Sequence, residues 1–213
     1  MKIGIVGAGN VGGTLGKRWA SAGHEIKFGV RDAGDPKVKE LLAASPRSTA
    51  GSVKEAAAFA EVIVLSVPWN AIDEALKQAG TTLSGKVLID CTNPVPMGPD
   101  ILERGLLVGH TTSAGEYVAS KASGARVVKS LNTVGWPIMA DPKLRGESAV
   151  MPYCGDDPAA KSTVARLVSD LGFEALDAGP LANARLLEPF GMLWIYLAFK
   201  GLGTDFAFTL KRK

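Results

Sequence analysis

The chain is 213 residues long, 46% hydrophobic and weakly basic, with a net charge of +3. That length supports one good core, and lysines and arginines are scattered rather than clustered, which argues against a nucleic-acid face or a membrane-surface face and leaves small anionic ligands open. No apolar stretch approaches ~18 residues and the opening residues carry no leader pattern, so a cytoplasmic protein without a membrane segment is expected.

Short runs rich in Val and Ile read as strands in chain order: KIGIV (2–6), EIKFGV (25–30), VIVLSV (62–67), KVLIDC (86–91), RVVKSL (126–131), AVMPYC (149–154) and FEALD (173–177), with FAFTL (206–210) a weaker eighth. Helical segments lie between many of them. Ser52 with Glu55 and Ser113 with Glu116 have capping-box spacing, and Asp156 or Asp157 can cap the run that ends at Gly172. Continuous apolar strands separated by helices imply the α/β class, a doubly wound, mainly parallel sheet covered on both faces. A single domain over 1–213 is the simplest account, with a core over 1–177 and a helical extension over 178–213. Cys91 and Cys154 lie in apolar runs and read as buried free thiols.

Gly7-x-Gly9-x-x-Gly12 directly follows a strand and directly precedes a helical run, the context that makes this motif informative for a dinucleotide. Gly7 makes the tight turn, Gly9 admits a pyrophosphate to the backbone, and Gly12 brings helix and strand together. The amides of Asn10 and Val11 then face the diphosphate at the positive end of the helix. The second strand ends FGVRD, so Val30 and Arg31 stand where an NAD site usually places a carboxylate, and Arg31 suits the 2′-phosphate of NADP. The plainer alternative pairs Arg31 with Asp32 on the surface, worth at most about 1 kcal/mol.

Ligands of doubly wound sheets bind beyond the carboxyl ends of the strands. Three such ends are distinctive: SVPWNA (66–71), DCTNPVP (90–96) and SLNTVGWP (130–137). They offer Ser66, Pro68 and Trp69, then Asn93, then Asn132 and Trp136, as candidates for a cofactor groove. Each alone also fits a structural role: Trp69 as a staple for the next helix, Asn132 as a satisfier of turn backbone.

A catalytic acid is hard to find. His24 precedes the second strand, away from the groove; His110 sits in a loop; Lys129 lies inside an apolar strand; Tyr117 and Tyr153 show no partner pattern. There is no Tyr-x-x-x-Lys pair, no metal-ligand cluster and no nucleophile motif. Only 36 residues follow Asp177, short of the ~100-residue second domain that closes over substrate in hydroxy-acid dehydrogenases. The pocket is then expected to be shallow or completed by another subunit. Hydride transfer between two ring cofactors suits both absences, because positioning the rings about 3–3.5 Å apart is the main requirement.

GAGNVGGTLGKRWASAGHEIKFGVRD, LSVPWNAIDEAL, GKVLIDCTNP, TTSAGE, ARVVKSLNTVG, YCGDDPAAK and LGFEALDAGPLANARLLEP together resemble the NADPH-dependent coenzyme F420 reductases. The resemblance implies a Rossmann-type domain, usually a homodimer, that passes hydride between NADP and the deazaflavin F420. It also implies that Ala8, Gly9, Asn10 and Val11 hold the phosphates, Arg31 the 2′-phosphate, and that Trp69, Val95 and Trp136 line the nicotinamide site. Val30 and Asp35 depart from the small hydroxyl residue and the lysine of archaeal members, which weakens the expected grip on the 2′-phosphate. SLNTVGW is similar also to the reductase domain of transmembrane ferric reductases, so a flavin (FMN or FAD), ferric or imine acceptor is the alternative. A non-catalytic NADPH-binding sensor is the alternative of another class.

In ANARLLEPFGMLWIYLAFKG (182–201), Leu186, Phe190, Leu193 and Leu197 share helical spacing, widened by Trp194, Ile195 and Phe199. Packing on the chain's own sheet and packing on a partner both fit. Pro189 is expected to kink the helix or mark its true start, leaving Arg185 free to aim at an acidic acceptor. Arg185, Leu186 and Pro189 are therefore the acceptor-side candidates.

Overall fold

The computed structural model describes residues 1–98, 100–211 and 213. Its strands are β1 (Lys2–Val6), β2 (Glu25–Gly29), β3 (Ser48–Gly51), β4 (Val62–Leu65), β5 (Val87–Asp90), β6 (Arg126–Ser130), β7 (Lys143–Leu144), β8 (Glu147–Ser148), β9 (Val150–Gly155) and β10 (Glu174–Asp177). The α-helices are α1 (Asn10–Ser21), α2 (Pro36–Ala43), α3 (Val53–Phe59), α4 (Ile72–Ala79), α5 (Ile101–Arg104), α6 (Ala114–Lys121), α7 (Trp136–Ala140), α8 (Pro158–Asp170) and α9 (Ala184–Leu197).

Eight strands form one sheet in the order β10-β9-β6-β5-β4-β1-β2-β3, and β7 and β8 form a separate hairpin. The strands β3, β2, β1, β4, β5 and β6 run parallel. The chain reverses direction across the sheet between β1 and β4, which is the switch point where this architecture opens a crevice. β9 is antiparallel to β6, and β10 is parallel to β9. The connection between β6 and β9 holds only the short α7 and the β7–β8 hairpin, with no long helix crossing a face of the sheet to return the chain to the same end.

Period-two alternation divides the core. Ile3, Ile5, Val62, Val64, Val87 and Ile89 face Leu15 and Trp19 of α1 and Val164 and Leu167 of α8. Val6, Ile63, Leu65 and Leu88 face Ile72 and Leu76 of α4 and Val118 of α6. Both faces are covered, which is why the central strands are buried along their whole length. The indole N–H of Trp19 donates to the Leu167 carbonyl at 2.9 Å, tying α1 to α8. His24 is structural, between the N-terminal amine (3.2 Å) and Asp170 (3.1 Å).

All seven Val/Ile-rich runs are strands within a residue or two of their expected ends. FAFTL is not: residues 206–210 lie outside any assigned strand, although the Val150 N–H donates to the Phe208 carbonyl at 3.1 Å. β3 has no apolar run to announce it; STAG is a half-covered edge strand held by its pairing with β2. The capping box at Ser52 and Glu55 is formed, and Ser113 accepts from the Glu116 N–H. Asp157, not Asp156, caps α8 by accepting from the Ala160 N–H, while Asp156 accepts from the Leu181 N–H and anchors the chain that leads to α9.

Candidate functional site

The switch point places the loop after β1 beside the loop after β4. Gly7 has φ +102°, a conformation that glycine adopts without strain. A Cβ added at Gly12 would lie 2.0 Å from the Gly7 carbonyl oxygen and 2.5 Å from Ser66 Oγ, so helix, loop and β4 touch there. Ser66 Oγ donates to the carbonyls of Val6 and Gly7, each at 3.1 Å. Ser66 therefore braces the loop from within. Gly9 is different: it is the N-cap residue of α1, and a Cβ there would meet nothing within 4 Å. No side chain caps α1 and its first turn carries no acid, so the amides at Asn10 and Val11 keep the donors and the positive end of the helix for a ligand. This geometry fits a dinucleotide diphosphate.

At the end of β2, Val30 is half-buried with its N–H on the Gly51 carbonyl at 2.9 Å, and Arg31 is exposed. The surface pair with Asp32 does not form: Asp32 Oδ1 accepts from the Gly34 N–H at 2.7 Å. Asp35 caps α2 through the Lys37 N–H at 2.8 Å. Both carboxylates are occupied locally, and among the described residues no ion pair engages Arg31.

After β4, Pro68 is exposed, and half-buried Trp69 packs on Tyr117 with ring centroids 5.4 Å apart and against the core cluster that includes Ile72 and Leu76 of α4. The Tyr117 hydroxyl donates to Asp73 at 2.8 Å. That bond, with burial and the Asp73 charge, raises the pKa of the phenol. The loops after β5 and β6 meet through their amides: Asn93 Nδ2 donates to the Asn132 carbonyl at 2.8 Å, and Asn132 Nδ2 to Asn93 Oδ1 at 3.0 Å. Asn132 Nδ2 also donates to the Leu187 carbonyl at 3.0 Å, which brings α9 to the same strand ends. Leu131, buried and at φ +61°, makes the turn into Asn132 in a conformation costly for a non-glycine residue. Val95 is half-buried beyond Asn93, and Trp136 is exposed at the start of α7.

The acceptor-side candidates stand differently from expectation. Arg185 is not free: its Nε and Nη2 reach the Glu116 carboxylate at 2.8 and 2.5 Å, a bidentate pair between α9 and α6. The Arg185 hydrogen bond is the main cause of the lowered Glu116 pKa. Pro189 sits inside α9, on its exposed side, without ending it. The apolar stripe is also rotated. Ala184, Leu187, Glu188, Gly191 and Trp194 form the buried face, while Leu186 and Leu193 point outward at 66% and 47% exposure.

Glu188 is the residue that sequence reasoning missed. It is 1% exposed, and its carboxylate lies 2.9 Å from Lys129 Nζ, which in turn is 2.9 Å from Asp90. Burial opposes the charge on Lys129, yet attraction to Asp90 and Glu188 holds its pKa above the ordinary lysine value. Sealed in this way, Lys129 offers no proton to a substrate. The signal was present as single charges of opposite sign in three apolar runs, VLIDC, VVKSL and LLEPF.

His110 is exposed in a loop at φ +61°. Burial raises the pKa of Tyr153. It also pushes both cysteines up, Cys154 to about 12, and both are buried free thiols. Among the described residues there is no cluster of three or more metal-ligating side chains, and no helix is long and apolar enough to cross a membrane.

The model of the family described as NADP oxidoreductase coenzyme F420-dependent matches residues 2–94. The chain is 32% identical to the F420-dependent NADP reductase of Methanothermobacter thermautotrophicus, over 92% of this chain and 89% of that one. It is also 32% identical to the rat metalloreductase STEAP3 over 88% of this chain, but spans only 36% of that protein's length. A crystal structure from Arthrobacter sp. FB24, assigned as an F420-dependent NADP reductase, superposes with a TM-score of 0.89 at 32% identity over 100% of both chains. With 32% identity over nearly the full length of a named F420-dependent NADP reductase, and a glycine-rich loop at the switch point, the chain belongs to the F420-dependent NADP reductase family.

Proposed function

We propose that this chain transfers hydride between NADPH/NADP+ and the deazaflavin coenzyme F420. The observation that carries the reading is the phosphate loop at the switch point, packed tight at Gly12 and open at Gly9, in a chain that aligns with such a reductase almost end to end. In this proposal Gly7, Ala8, Gly9, Asn10, Val11 and Gly12 receive the diphosphate, with Val30 and Arg31 beside the 2′-phosphate. Ser66, Pro68, Trp69, Asn93, Val95, Asn132 and Trp136 border the nicotinamide half. NADPH supplies a hydride and the deazaflavin ring accepts it, so the chain's own task is to orient the two rings and keep water out.

The test is to mix the purified protein with NADPH and F420, FMN, FAD or ferric chelate in turn and follow nicotinamide oxidation. F420 turnover far above the rest is expected. Turnover with flavin or ferric acceptors alone would instead favour the second reading, which the likeness to STEAP3 motivates. Tight NADPH binding without turnover would leave a sensor.

Arg31→Ala is expected to lower the preference for NADPH over NADH, measured as the ratio of kcat/KM, by about 10- to 100-fold, the scale of one charge-assisted hydrogen bond. An unchanged ratio removes Arg31 from the 2′-phosphate.

We further propose one cytoplasmic domain, core 1–177 with extension 178–213, acting as a homodimer. The outward row of Leu186, Leu193, Tyr196 and Phe199 supports an interface on α9 and the turn after it. Leu193→Glu is then expected to halve the mass seen in analytical ultracentrifugation; a monomeric wild type would reject the dimer. Cell fractionation that finds the protein with membranes would reject the location.

A further inference from the structure

Two carboxylates and one ammonium, none of them facing solvent, join the ends of β5 and β6 to the start of α6 and the middle of α9. Desolvation of the three ions offsets much of their attraction, and well-packed apolar side chains would join these elements about as well. What charges supply is direction. Glu188 Oε1 accepts from the Gly115 N–H at 3.0 Å and faces Lys129 Nζ, while Oε2 accepts from the Ala114 N–H at 2.9 Å. Three converging donors allow α9 one register and one rotation.

That register matters one residue earlier and three residues later. The Leu187 carbonyl accepts from Asn132 Nδ2, and a Cβ at Gly191 would lie 2.7 Å from the Asn132 carbonyl oxygen and 3.0 Å from Asn93 Oδ1. A slip of α9 by one residue breaks the first contact and drives a side chain into the second. On the other side of the cluster, Asp90 Oδ1 accepts from the N–H and hydroxyl of Thr92, and the Thr92 carbonyl accepts from Lys129, which sets the turn into Asn93.

We infer that Glu188 is a positioning residue for the nicotinamide half of the cofactor: through Lys129 and the first amides of α6 it sets the register of α9, and α9 holds the Asn93–Asn132 pair in place. The inference rests on the reading that NADP lies across these strand ends.

Glu188→Gln tests it, because it leaves Lys129 with Asp90 as a neutral buried pair and keeps the side-chain volume. Calorimetric titrations compare 2′,5′-ADP, which carries the adenosine half and the 2′-phosphate, with NADPH. In the variant, 2′,5′-ADP is expected to bind within about twofold of wild type, as for an independent site. The preference for NADPH over 2′,5′-ADP is expected to fall about tenfold, on the scale of a small misplacement of a bound ring. Gly191→Ala, which pushes on the asparagine pair without touching a charge, is expected to lower the same preference and replaces Glu188→Gln should that variant not fold. An unchanged preference in a folded variant, or equal losses for both ligands, overturns the inference. A wild-type protein that binds neither ligand overturns the NADP reading and this inference with it.

Discussion

Lys129→Met is expected to cost about 3–5 kcal/mol of folding stability, measured by urea unfolding near neutral pH, because it strands two buried carboxylates. Asp90 and Glu188 are 0% and 1% exposed, so water cannot replace the ammonium that each now faces at 2.9 Å. Protonation relieves an unpaired carboxylate, so the deficit is expected to shrink as pH falls. In the wild type the sign is opposite. The folded-state pKa of Lys129 is raised, so its contribution is complete below the unfolded lysine value of about 10.4 and is lost as pH rises through the folded value. A Lys129→Met protein as stable as wild type would mean that the cluster is not the sealed network described.

The second large effect separates two glycines of one motif. Gly12→Ala places a methyl group 2.0 Å from a backbone carbonyl, so the loop must move, and a loss of about 2 kcal/mol or more of stability is expected together with NADPH binding. Gly9→Ala places its methyl group in open space at φ −72°, which any residue adopts. Its melting temperature is therefore expected to stay near wild type while NADPH affinity falls about tenfold or more, because the methyl group occupies space that the diphosphate needs. Calorimetric titration with thermal unfolding on the same samples checks both. If Gly9→Ala binds NADPH as tightly as wild type, the diphosphate does not approach this residue.

Much of the fold was legible in residue patterns. The central strands β4 and β5 are continuous apolar runs because both faces of the sheet are covered there, and the other runs kept enough Val, Ile, Leu or Phe to read as strands. β3 was illegible for the converse reason: STAG sits at the sheet edge, where one side needs no apolar cover. FAFTL looked like a strand by composition, but Phe206 and Phe208 instead pack in an aromatic group with Trp194 and Phe190. The glycine loop was readable because its geometry depends on neighbours a few residues away.

α9 shows where local pattern stops. Its residues are apolar nearly all round, so spacing alone permits several buried faces, and the stripe through Leu186 and Leu193 is the exposed one. Arg185 looked available because its partner, Glu116, lies 69 residues away. Glu188 was not singled out in the sequence because its partners are distant in the chain: it meets Lys129 and the amides of Ala114 and Gly115 in the interior. By itself the sequence determined the α/β class and the glycine-rich turn between β1 and α1, since each follows from short-range periodicity or spacing. The rotation of α9, the pairing of Arg185 and the buried charge cluster were decided only by tertiary structure, because each depends on which distant residues the sheet order brings within hydrogen-bonding distance.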